Sequence, residues 1–431
     1  MLTAPPGLDL SGLFSSFDMT SRDSVIVAVS GGSDSTALLL LLNEHLGRHA
    51  PRTRLVAVTV DHALRPESAG EAAAVARLCE ALCITHRTVV WTGAKPASGT
   101  AAAAREARYA LLAEAARAER SDLVLTGHTA NDQAETVMMR GARASGRGLA
   151  GIAPATLFDA RIWFGRPLLK TRRGALRAFL KQKGVGWIDD PSNVSDRYER
   201  PRVRKALSES EIVQALGIAG QASADRTALG EDAARLIGDH ACRAGPGLLR
   251  LSCDFFRTDR QDAAVYALRI LLAVAGGTEH LPDEARTTAL YIRLAAGEPV
   301  RAVLSRALVD RRRGGIFLLR ERRGLPASAN LPDGSVWDRR YRIAGEAEAA
   351  LAVAASPLME GNLPDAPASL VRQAAAGIPD AGPGRGAVPV AAPWARYLPL
   401  FDVAPARAVA RLIGASEIPE PPFHGHIGGK A

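Results

Sequence analysis

VIVAVSGGSDSTALLLLL, Val25 to Leu42, decides the architecture. A short β-branched apolar run, the kind a strand buried on both faces requires, delivers the chain to small polar residues at Ser30 to Ser35. A leucine-rich run follows at once and reads as a helix from about Asp34 to Leu46. Gly31 and Gly32 let the backbone turn tightly and bring its N–H groups close to a ligand. The helix amino terminus adds partial positive charge, so the turn is a seat for an anion. The hydroxyls of Ser30, Ser33 and Ser35 add hydrogen bonds of the kind phosphate oxygens accept. Asp34 is the odd member, because a carboxylate repels phosphate. It reads either as a helix cap or as a ligand to Mg²⁺ that bridges to the phosphates. This turn has neither the G-x-x-x-x-G-K-[ST] lysine loop nor the G-x-G-x-x-G dinucleotide spacing.

The pattern repeats outward from that turn. LVAVTVDH precedes a helix predicted over about 68–81, ITHRTVVW precedes one over about 101–119, and DLVLTGH precedes one from Asn131. Alternation of this kind predicts an α/β fold with a doubly wound, mainly parallel sheet. Ligands of such sheets bind outside the carboxyl ends of the strands. Three polar clusters fall there: SGGSDS at 30–35, DHALR at 61–65 and GHTANDQAE at 127–135. A first domain over 1–205 is expected. A helical domain over 206–300 and a C-terminal α+β region over 301–431 follow, with a Pro/Ala/Gly-rich linker at 362–393.

Charge narrows the partners. From Arg161 to Lys205 there are 13 Lys and Arg against 4 Asp and Glu, so this segment holds the whole formal surplus of +9. Such concentration, interleaved with Trp163, Phe164, Trp187 and Tyr198, favours a polyanionic partner over a merely solvated face. The cysteines at 79, 83, 242 and 253 lack C-x-x-C spacing. No apolar run reaches the ~18 to 20 residues of a membrane span. The amino-terminal residues lack the pattern of a signal peptide, and a cytoplasmic protein is expected.

SGGSDS resembles the SGGxDS signature of the N-type ATP pyrophosphatases, the PP-loop enzymes. Five further stretches are similar to one branch, the tRNA(Ile)-lysidine synthases, in family order. They are VDHALRPESAGEA at 60–72, AAREARYALL at 103–112, GHTANDQAET at 127–136, and the basic pair GRPLLKTRR at 165–173 with WIDDPSNVSDRYERPRVR at 187–204. The resemblance covers about 30–205; beyond it only length and layout agree. It implies that ATP adenylates the C2 oxygen of the wobble cytidine in the CAU anticodon of tRNA(Ile). The ε-amine of free L-lysine then displaces AMP to give lysidine, which changes codon reading from AUG to AUA. Thiolation, another PP-loop modification, fits less well, since the cysteine pairs of thiolating relatives are missing. A non-catalytic RNA-binding relative is the other alternative, and a homodimer is among the assemblies the sequence allows.

The resemblance also implies roles. Ser30, Gly31, Gly32, Ser33, Asp34 and Ser35 are expected to hold ATP, flanked by Asp61, His62 and Arg108. Asp34 and Asp132 are the expected Mg²⁺ contacts, and Asp34, Arg105, His128 and Asp132 the catalytic set. Glu135 is expected either to join them or simply to pair. Arg140, Arg143, Arg147, Arg166, Arg197, Arg200, Arg202 and Arg204 are expected on the tRNA. One departure stands out: the family has paired aspartates before the glutamine, whereas this chain has Asn131 and Asp132 before Gln133.

Overall fold

The computed structural model describes residues 12–64, 66–93, 95–96, 98–142, 146–189, 199–327, 331–345 and 366–424. The chain divides into two compact units, one formed by 1–224 with 420–431 and the other by 225–419.

In the first unit the strands β1 (Ser24–Ala28), β2 (Arg54–Asp61), β3 (Thr85–Val90) and β4 (Leu123–Leu125) are parallel, as are β4 and β6 (Ile162–Gly165). Of these six strands only β5 (Ala155–Phe158) runs antiparallel, on β6. The order β5-β6-β4-β1-β2-β3 reverses direction about β1, which creates a switch point. Helices α1 (Ser33–His49), α2 (Ser68–Ala81), α3 (Thr100–Ala118) and α4 (Ala130–Gly141) make the crossovers. Val25, Ile26 and Val27 of β1 and Leu38, Leu39 and Leu42 of α1 are fully buried, which accounts for the two apolar runs. The helix α5 (Arg173–Gln182) packs on α1, and α6 (Glu199–Ala206) packs on α4. Polar loops are thus gathered over the carboxyl ends of β1, β2 and β4.

The second unit departs from the sequence expectation. The segment 206–300 is not purely helical. Strands β7 (Ala241–Gly245) and β8 (Leu248–Leu251) pair in one antiparallel sheet, β7-β8-β11-β10-β9, with β9 (Arg301–Leu304), β10 (Ala307–Arg312) and β11 (Gly315–Arg320). Those hydrogen bonds cross position 300, so no domain boundary falls there. The stretch 362–393 is not a linker either, as far as it is described. It contains the helix Ala368–Ala375 and the strand Arg385–Pro389. Leu370 and Ala374, four apart, seat that helix on Leu248, Phe317 and Leu319.

Candidate active site

The turn after β1 is held open by its own hydrogen bonds. The Ser30 amide donates to Ser35 Oγ at 3.1 Å, and Ser35 Oγ donates to the Gly32 carbonyl at 3.1 Å. Gly31 has φ +83°, and a Cβ there would lie 2.7 Å from Ile188 Cδ1. The Ile188 amide in turn donates to the Gly31 carbonyl at 2.9 Å. α1 starts at Ser33 with no side chain capping its first turn, so its amino terminus keeps free donors. Gly127, at the end of β4, lets two backbones touch: a Cβ there would be 3.0 Å from the Asp34 carbonyl carbon and the Ser35 nitrogen. Gly127→Ala should therefore displace the first turn of α1. We expect a loss of ATP affinity of about tenfold or more, measurable by nucleotide titration.

Acidic and basic side chains converge beside this turn. Arg173, the first residue of α5, donates from Nε to Asp34 Oδ2 at 2.8 Å and from Nη2 to Asp132 Oδ1 at 3.1 Å, and its Nη1 lies 3.6 Å from Glu135 Oε1. Arg200 reaches Glu135 Oε2 at 2.7 Å and Asp132 Oδ1 at 3.1 Å, while Arg204 Nε donates to Glu135 Oε1 at 2.6 Å. Glu135 is 1% exposed, so sharing three guanidiniums is what makes its burial tolerable. Asp132 Oδ2 closes a capping box with the amide and hydroxyl of Thr129 at 2.8 and 2.7 Å. Burial opposes ionisation of Asp132, but Arg173 and Arg200 win and its carboxyl lies below the usual range. For Asp34 burial wins over Arg173, and the carboxyl is raised.

Arg173 and Arg177 are site residues that the motif reading missed. Both lie on α5, four apart and so on one face; Arg177 Nε donates to Ser33 Oγ at 3.4 Å and Nη2 to Asp189 at 3.0 Å. That spacing within the basic segment was the available signal. Asn131 accepts from the Arg173 amide at 3.0 Å, so the residue that replaces the first aspartate anchors the start of α5.

The second strand end holds Asp61, whose Oδ1 accepts from the Ala63 amide at 2.7 Å in an Asx turn. His62 Nε2 faces Arg108 Nη2 at 3.2 Å. Burial and then Arg108 push the His62 pKa down to about 4. His128 pairs through Nδ1 with Thr126 Oγ1 at 3.0 Å. Burial, then Arg166 and Arg105, pushes its pKa down to about 3, against the opposing pull of Asp132.

The folded His128 ring is therefore neutral where an unfolded one, near 6.5, is protonated. The unfolded chain binds more protons between those values, so stability falls as the pH drops from 6.5 toward 3. His128→Gln should remove up to one proton from that slope, about 1.4 kcal/mol per pH unit. Urea titrations at neutral and mildly acid pH measure it, and an unchanged slope would contradict the neutral ring.

The arginines expected on tRNA divide. Arg202 is exposed, and Arg140 spends donors on the Gly148 and Gly151 carbonyls at 3.2 and 2.7 Å, bracing the loop that carries Arg147. Arg143 and Arg197 lie outside the described residues. Arg200 and Arg204 face the carboxylates. Arg166 is a correction: it is 3% exposed and donates to the Ala153 carbonyl, Thr156 Oγ1 and Tyr109 OH at 2.7, 3.0 and 2.8 Å. A basic run in sequence does not tell which side chains turn inward, and here the end of β6 turns Arg166 into the core. Arg166→Met should cost about 3 kcal/mol in urea unfolding, by leaving buried acceptors unpaired, and leave RNA affinity unchanged.

Among the described residues no cluster of three or more His, Cys, Asp or Glu has the spacing of a metal cage. The donor set nevertheless suits Mg²⁺ shared with phosphates: two carboxylates, Asp34 and Asp132, converge on a single cationic group.

Comparison with known proteins identifies the family. The PP-loop domain profile matches residues 10–211. A protein of Mesorhizobium japonicum described as tRNA(Ile)-lysidine synthase is 51% identical to this chain, with 99% of each covered. One of the same description from Rhizobium meliloti is 39% identical over 93% of this chain and 94% of its own. Among solved structures, the U34-tRNA thiolase NcsA of Methanococcus maripaludis aligns with a TM-score of 0.43 and 18% identity, covering 49% of this chain and 76% of its own.

Proposed function

The chain belongs to the tRNA(Ile)-lysidine synthase family, and from that we propose that it joins free L-lysine to C2 of the wobble cytidine in the CAU anticodon of tRNA(Ile). ATP is split to AMP and pyrophosphate in the cytoplasm. The observation that carries the reading to the residues is the meeting of Asp34, Asp132 and Glu135 on Arg173 beside the SGGSDS turn.

The chemistry follows from what those groups can do. The free donors at the start of α1, with Ser30, Ser33 and Ser35, hold the phosphates, and Arg177 adds positive charge at Ser33. Mg²⁺, held by Asp34 and Asp132, would neutralise phosphate charge in the bound nucleotide. The C2 oxygen of cytidine bonds to the α-phosphorus as the bond to pyrophosphate breaks. Arg105 and Arg108, on α3, would stabilise the charge that builds up there. The lysine nitrogen then bonds to C2 as the C2–O bond to AMP breaks. Asp132 and Glu135 attract the amine as its ammonium. Because an ammonium has a pKa of about 10.4, a proton must leave before attack. His128, neutral down to about pH 3, is too weak a base for that and serves as a hydrogen-bond partner.

Arg200 and Arg204 occupy the carboxylates that lysine needs, so they must exchange partners when substrate arrives. RNA phosphates are the natural competitors, and Arg140, Arg147 and Arg202 are further proposed contacts of the RNA. The test is pyrophosphate release without lysine, from tRNA(Ile) bearing CAU and from tRNA(Met) with the same anticodon. Release with the first alone supports the reading; release with neither refutes it.

A further inference from the structure

Arg166 has a partner whose position links it to the site. Tyr109, on α3, is 5% exposed, and its ring packs on Phe164 and Phe158 at centroid distances of 4.4 and 5.5 Å. Its hydroxyl oxygen accepts from two guanidiniums, Arg166 Nη2 at 2.8 Å and Arg105 Nη2 at 3.3 Å. Arg105, one turn earlier on the same helix, also lies over the ring, with its central carbon 5.0 Å from the centroid. Arg166 is the fixed end of this chain, because its other nitrogen is held by the Ala153 and Phe164 carbonyls and by Thr156. Arg105 is the exposed end.

The choice of a phenol here has a consequence. Among the described residues neither Arg105 nor Arg166 has a carboxylate partner. A carboxylate in place of the phenol would hold Arg105 more tightly but would cancel its charge. A neutral hydroxyl holds it and leaves the charge for a ligand. We propose that Tyr109 is the positioning residue of Arg105, fixing that guanidinium against Arg166 so that its whole positive charge meets the anion formed in adenylation. The environment agrees: burial alone would push the phenol up, yet Arg166 and Arg105 bring it below the usual tyrosine value.

The inference rests on the proposed role of Arg105, so its test carries a readout independent of activity. Tyr109→Phe keeps the ring and removes only the oxygen. It should lower kcat for pyrophosphate release about tenfold, leave the KM for ATP within about twofold, and cost less than about twofold when Arg105 is already alanine. Equal losses in both backgrounds, or none in either, would overturn positioning. The difference in tyrosinate absorbance between wild type and Tyr109→Phe reports Tyr109 directly. Arg105→Ala should move that titration upward, and no movement would also overturn the proposal. Failure of the wild type to release pyrophosphate with tRNA(Ile) would sink the proposed function and leave the spectroscopic result standing.

Discussion

Asp34→Asn lowers tRNA-dependent pyrophosphate release by about three orders of magnitude and leaves tRNA affinity unchanged; that is the first expected result. The cause is electrostatic. Asp34 lies in the first turn of α1, a place already favourable to phosphate, and burial outweighs the help it receives from Arg173. Its carboxyl is raised, which means that folding disfavours the ionised form at neutral pH. The penalty applies above the folded value and vanishes below the unfolded one. The uncharged Asp34→Asn variant should therefore be at least as stable as wild type in a thermal melt while losing activity. A residue kept for structure behaves the opposite way. Loss of stability together with full retention of pyrophosphate release would contradict a role in holding Mg²⁺ and nucleotide.

The second large effect is expected at Glu135. Three arginines share this buried carboxylate, two of them from α6, so Glu135→Gln loosens α6 on α4 by removing the charge and turning an amide donor toward guanidiniums. Removing one partner of a buried pair costs about 3–5 kcal/mol; because Arg200 and Arg204 stay partly in water, about 2–3 is expected here. The same variant should raise the KM for lysine about tenfold or more, since one of the two carboxylates proposed to attract the ammonium is gone. Urea unfolding and lysine titration at saturating ATP and tRNA read the two effects. A stability loss with an unchanged lysine KM would assign Glu135 to structure alone.

What could be read from sequence depended on how local the signal was. SGGSDS could be read because a strand, a tight turn and a helix start are fixed by residues within one short segment. The helix expected over about 68–81 forms at Ser68–Ala81. Asp132 was placed correctly at the head of α4, but its pairing was not, because Arg173 and Arg200 reach it from α5 and α6 through tertiary packing. Arg166 misled because a basic run carries no record of which side chains turn inward. The stretch 362–393 misled through composition: proline, alanine and glycine suggest a linker, while two buried positions, Leu370 and Ala374, suffice to seat a short helix.

The most direct test uses purified protein, ATP, labelled L-lysine and unmodified tRNA(Ile) with a CAU anticodon, followed by nucleoside analysis of the wobble position. The expected result is ATP-dependent transfer of label to the wobble cytidine, absent with tRNA(Met). No label in tRNA(Ile), or a modification that depends on a sulfur donor instead of lysine, would contradict it.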